Sequence, residues 1–186
     1  MATQLDSSQQ SLLKTLAKEQ LRMNMLERYY DGDAPLPEGA DGQTRAYRRF
    51  QKKARLNLAQ LSVAAVRERM RIGGFRTGAD DDENGDAVAR RLWKANRLDV
   101  YSADLHSFFL KFGEAYAIGG MKEGRQYPLV TVEDPRQIQT YSNPEDPSEI
   151  LAAVKVFTEG GHHHAYFYYP DQIQVFHKEH DTSSYD

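Results

Sequence analysis

The chain has 186 residues, 40% of them hydrophobic and 27% charged, with a formal net charge of −3; that is enough for one sizeable domain or two small ones, and it excludes a nucleic-acid coat over the whole surface, which needs a basic surplus. Cysteine is absent, which excludes disulfides and thiolate metal sites. No apolar run approaches the roughly 20 residues that span a bilayer, and the polar start, Met1 to Gln10, has no signal-peptide core, so the cytosol, or an assembly built from it, is the expected compartment.

Leu12, Leu13, Leu16, Met23 and Leu26 recur at near-helical spacing and predict a helix over about 9–30. Its apolar stripe is narrow, which predicts a helix that leans on something else and stands outside the compact core. Asp31-Gly32-Asp33 and the prolines Pro35 and Pro37 force an extended corner, because each proline fixes φ and restricts its predecessor. After a polar linker the pattern is helical again over 45–71, with Leu56, Leu58, Leu61, Val63, Val66 and Met70 apolar and Gly73-Gly74 as the stop. Phe75 to Thr77 reads as a short strand. The acidic run Asp80, Asp81, Asp82, Glu83 reads as a solvated loop ahead of a third helix, 86–96, whose dipole it favours.

Asp99 is the expected N-cap of a fourth helix over 100–116. Its stripe of Tyr101, Leu105, Phe108, Phe109, Phe112 and Tyr116 is the strongest periodicity in the chain and predicts the centre of the core. Strand patterns follow. Segments 115–121 and 127–133 flank a Lys-Glu-Gly turn and predict a hairpin. Asp134-Pro135 starts a short helical turn, Asn143 to Ser148 is a loop, and 152–158, 165–169 and 172–176 form a meander. Helices first and a mostly antiparallel sheet after them give an α+β class.

Three features invite a chemistry. In a strand His162 and His164 share one face while His163 takes the other, and His177 and His180 come near if the meander pairs back. At most two ligands then converge from the triplet, so no metal site is expected. Arg45, Arg48, Arg49, Lys52 and Lys53 set cations along a helix, with Tyr47 and Phe50 between them. Three readings fit: a solvated face, a subunit interface opposite acids such as Asp80 to Glu83, or a phosphate track. Trp93 and the Tyr166-Phe167-Tyr168-Tyr169 run suggest base stacking or, more simply, core and sheet surface. Phosphate-loop, nucleophile-elbow and zincin motifs are missing.

The order of several segments resembles portal proteins of long-tailed (siphovirus-type) bacteriophages, in the N-terminal wing half. These are the Arg28-to-Pro37 corner, Arg71-Ile72-Gly73-Gly74-Phe75, and the acidic loop before Leu92-Trp93-Lys94-Ala95-Asn96-Arg97-Leu98-Asp99. Phe112-Gly113-Glu114-Ala115-Tyr116-Ala117-Ile118 and Leu129-Val130-Thr131-Val132-Glu133-Asp134-Pro135-Arg136-Gln137-Ile138 complete the set. The resemblance implies a helix and corner over 1–37 and a wing-like α+β domain over 38–186, a piece of a longer chain without stem, clip or crown. It implies twelve-subunit rings at one capsid vertex, through which DNA passes without sequence specificity. The implied partners are other copies of the chain, a terminase motor, a head–tail adaptor and a capsid or scaffold protein, with no membrane. Such rings belong to the virion and assemble in the host bacterial cytoplasm. The family offers no catalytic residues and no cofactor to transfer. The alternative is an interaction or scaffold domain of another phage head component.

Overall fold

The computed structural model describes residues 5–34, 45, 47, 49–50, 57–76 and 85–179. Among them helices come first, α1 Ser7–Tyr30, α2 Leu58–Arg67, α3 Ala87–Ala95 and α4 Leu98–Phe112. A hairpin of β1 Tyr116–Gly120 and β2 Leu129–Glu133 follows. A 3₁₀ turn at Pro135–Gln137 then leads to β3 Ile138–Ser142, β4 Ile150–Glu159, β5 His162–Tyr168 and β6 Ile173–Glu179. The class is α+β, as the sequence predicts. Internal contacts divide the chain into two units, 1–23 with 134–186, and 24–133. The domain boundary expected at residue 37 lies outside the described residues.

The first unit is a four-stranded antiparallel sheet in the order β3-β4-β5-β6, with the first turns of α1 against one face. A reciprocal box fixes where α1 starts: Asp6 Oδ1 accepts from Gln9 N at 2.8 Å, and Asp6 N donates to Gln9 Oε1 at 3.0 Å. The Gln9 side chain is buried, and its Nε2 donates to Gln174 Oε1 on β6 at 2.7 Å. Leu12 and Leu16 then meet Val154 of β4 and Phe167 of β5, both fully buried. Removing each of these side chains from water contributes about 1.5–3 kcal/mol. The expectation that α1 stands outside the core is therefore wrong. A narrow stripe leaves the flanks of a helix wet, but one seam is enough to close a sheet face.

Gly160 and Gly161, with φ of 57° and 79°, make the two-residue turn of the β4–β5 hairpin, which needs left-handed residues at both positions. It sets Val154 opposite Phe167 and His164 opposite His177 in the continuing ladder. Pro135 starts its 3₁₀ turn as expected, and Asp134 accepts from Arg136 N at 2.9 Å. Strand β3 is unforeseen, and the other meander strands are longer than expected.

In the second unit α4 packs with α2, α3 and β2. The hairpin β1–β2 is as predicted, with Tyr116 opposite Glu133. Four details depart from expectation. The helix predicted over 45–71 is not continuous. Asn57 is non-helical and caps α2, its Oδ1 accepting from Gln60 N at 3.0 Å while its Nδ2 donates to Tyr30 O at 2.7 Å. α2 ends at Arg67, ahead of Gly73-Gly74, and neither glycine has a positive φ. Phe75 belongs to no strand; its carbonyl accepts from Asp86 N at 2.9 Å, and Thr77 lies outside the described residues.

The fourth helix starts one residue before Asp99, after Arg97 in the left-handed region at φ 53°. It ends at Gly113, φ 84°, so Tyr116 lies on β1. The predicted stripe is not the centre of the core. Phe112 is buried, but Tyr101 is 41% and Phe109 54% exposed. The stripe spans more of the helix circumference than α2, α3 and β2 cover. One polar pin joins α3 to the hairpin: buried Asn96 donates from Nδ2 to Leu92 O at 3.0 Å and Pro128 O at 2.9 Å, and its Oδ1 accepts from Val130 N at 3.0 Å.

Candidate interaction surfaces

Of the proposed interface cations, Arg45 and Arg49 are helical and exposed. Four residues apart, they share a helix face. Tyr47 and Phe50 are exposed too, Phe50 at 65%, with ring centroids 6.5 Å apart. Arginine beside exposed aromatic rings is the composition enriched where proteins meet. Arg48, Lys52, Lys53, Asp80, Asp81, Asp82 and Glu83 lie outside the described residues. The ends of the segment holding those acids do come together, at the bond from Asp86 N to Phe75 O. Gly85 makes this possible. Its φ is 83°, and a Cβ there would sit 2.8 Å from the same carbonyl oxygen.

The histidines follow strand alternation. His162 and His164 lie on one face of β5, their ring centroids 6.4 Å apart. His163 faces the other way, with Nδ1 at 2.9 Å from Thr158 Oγ1. His177 of β6 joins His164, Nδ1 to Nδ1 at 2.7 Å, so one ring donates and the other accepts. The His164 ring stacks on Phe157 at 4.8 Å. Both facing nitrogens are engaged with each other. Among the described residues no group of three or more His, Asp or Glu is placed to hold a metal ion; His180 lies outside them.

Reasoning from sequence missed an ion pair inside the second unit. Lys111 Nζ lies 2.9 and 3.0 Å from the two carboxylate oxygens of Glu27. The ammonium also sits 4.7 Å from the Tyr30 ring centroid and 5.0 Å from that of Phe112. The signal was available: Lys111 is flanked by the aromatic residues of the strongest helix, where a cation is out of pattern. No sequence rule names Glu27 as its partner.

Among the described residues the histidine row pairs within its own sheet, and Arg45 and Arg49 stand exposed. A family model described as phage portal protein, SPP1 Gp6-like, matches residues 10–186. The chain belongs to that family. The match covers both units and nearly every described residue. The resemblance seen in the order of sequence segments is thereby shown, and the portal family is a structural one. A search of curated proteins found no match. No helix among the described residues is long and apolar enough to cross a membrane.

Proposed function

We propose that this portal-family chain is a subunit of a closed ring at one capsid vertex, through which phage DNA is packaged and later ejected. The single observation that carries the reading is the family match over residues 10–186. A ring needs heterologous contacts, in which two different patches of one protomer complement each other. The face bearing Arg45, Arg48, Arg49, Lys52 and Lys53 is one such patch, and the acidic run Asp80 to Glu83 of the adjacent protomer is the other. On this reading the cations hold the ring together and do not touch DNA, which passes without base recognition. Twelve subunits, a terminase motor on one side, a head–tail adaptor on the other and a capsid or scaffold protein around the rim complete the assembly. It works in the virion after assembly in the bacterial cytoplasm, with no membrane, no cofactor and no chemical step of its own.

Electron microscopy of the purified protein tests this directly. Closed rings with a central hole are the expected result. A monomer at every concentration, unable to close even with capsid protein present, refutes it in favour of a scaffold or interaction domain of another head component.

A further inference from the structure

A groove in the second unit is used by neither the ring contact nor the core. After α2 the chain runs through Met70 to Phe75 without helix or strand. Two adjoining cavities of about 540 and 240 Å³ open beside it, and Ile72, Trp93 and Asp99 line both. Trp93 forms the apolar floor, partly covered, its ring 5.2 Å from that of Phe75. Arg71 and Lys94 stand exposed on the rim, and neither forms an ion pair among the described residues.

The backbone is the more telling part. Ile72, Gly73 and Gly74 make no main-chain hydrogen bond among the described residues, although three consecutive residues offer three donors and three acceptors. Neither glycine is left-handed, and a Cβ on either meets nothing within 4 Å. Conformation therefore does not explain them. What they supply is bare backbone, open to close approach by another chain.

We propose that this groove takes an extended acidic peptide segment of a partner protein. Its main chain pairs with Ile72 to Gly74, as in strand addition, and its carboxylates meet Arg71 and Lys94. A nucleic-acid strand fits less well. Glu68 and Asp99 line the groove as well and repel phosphates and peptide carboxylates alike, but only a peptide carries the N–H and C=O groups that the open main chain of Ile72 to Gly74 can pair with. The proposal does not rest on ring formation, and a chain that forms no rings tests it equally.

Trp93 is the only tryptophan, so its emission reports on this groove alone. Titrating the whole protein with an acetylated, amidated peptide of alternating Glu and Val is expected to change that emission saturably. The double variant Arg71→Glu/Lys94→Glu should weaken Kd about tenfold or more, since like charge replaces a complementary pair. Arg71→Gln/Lys94→Gln should give a smaller loss in the same direction, should the reversal disturb folding. Gly73→Pro removes an N–H donor and should weaken binding at an unchanged unfolding midpoint. No saturable change up to millimolar peptide overturns the proposal, as does equal binding of a peptide with Lys in place of Glu. Tighter binding of an oligothymidylate of equal charge puts nucleic acid in the groove instead. A Trp93 change that tracks protein concentration without peptide makes a second copy the occupant, and likewise overturns it.

Discussion

Replacing Lys111 by Met isolates the ion pair that ties the end of α1 to α4. Methionine keeps an unbranched apolar stem and loses the ammonium that sits over the Tyr30, Phe108 and Phe112 rings, so the loss is chiefly that of charge. Lys111 is only 10% exposed and Glu27 23%. Breaking a buried pair by removing one partner costs about 3–5 kcal/mol. Water reaching the Glu27 carboxylate lowers that, and the lost attraction of an ammonium to the rings adds about 0.5–1 kcal/mol; a net loss of about 2–3 kcal/mol is expected. The double variant Lys111→Met/Glu27→Leu should recover at least about 1 kcal/mol, because an apolar pair in such a site is often no worse than the ion pair. Urea unfolding followed by Trp93 emission is the assay, since Trp93, Lys111 and Glu27 all belong to the second unit. A single variant within about 0.5 kcal/mol of the parent, or a double variant whose loss equals the sum of its singles, refutes the reasoning.

Leu16→Ala should cost the first unit about 3 kcal/mol, as a cavity opens against Val154 and Phe167; hydrogen exchange of the β4 and β5 amides reads the loss. Removal of residues 1–29 should abolish that unit's protection altogether. Gly113→Ala meets open space and bears only its positive φ, about 1–2 kcal/mol. Gly85→Ala should lose clearly more by thermal unfolding, because its Cβ also strikes the Phe75 carbonyl. The Asp146 carboxyl is held below its ordinary range by hydrogen bonds from the Ser148 hydroxyl and amide. Its contribution to loop order is therefore present above that range and is lost as pH falls through the lowered value, and Ser148→Ala should move its NMR titration upward. Arg48→Glu/Arg49→Glu should reduce ring yield, more so at low salt, with rescue by reversal among Asp80 to Glu83. Normal rings that fail only to retain DNA would return the phosphate reading to that helix.

What was legible in the sequence was mostly periodic. The hairpin of β1 and β2, the Pro135 turn and the existence of the helices follow from spacing and turn residues, because those signals are local. The core was misplaced because periodicity shows which residues share a face and not what covers it. Tyr101 and Phe109 keep perfect spacing on a helix covered on one side only, while Leu12 and Leu16, in a meagre stripe, face a whole sheet. The Asp6-to-Gln9 spacing is that of a capping box and marks a helix start in the sequence itself. Strand β3 was hidden by its position directly after a proline turn. Asn57 resembles any polar residue in a helix until Tyr30, far back in the chain, is seen to need a donor. The candidate interface was legible only as composition; two of its nine residues, Arg45 and Arg49, fall among those described.

Asn96 has a consequence for how freely this part of the chain can change. Its amide presents two donors to carbonyls on one side and one acceptor to an N–H on the other. Aspartate, alike in shape, would turn an oxygen toward the two carbonyls. Leucine, alike in volume, would take the side-chain partner from Pro128 O and Val130 N, while Leu92 O would keep its main-chain bond from the residue-96 N–H. Glutamine is one methylene too long for a site already closed. The exposed positions around it can drift with little effect, but here the alphabet narrows to a single letter, and the orientation of one side-chain amide decides whether the α3 turn and the start of β2 remain a single piece.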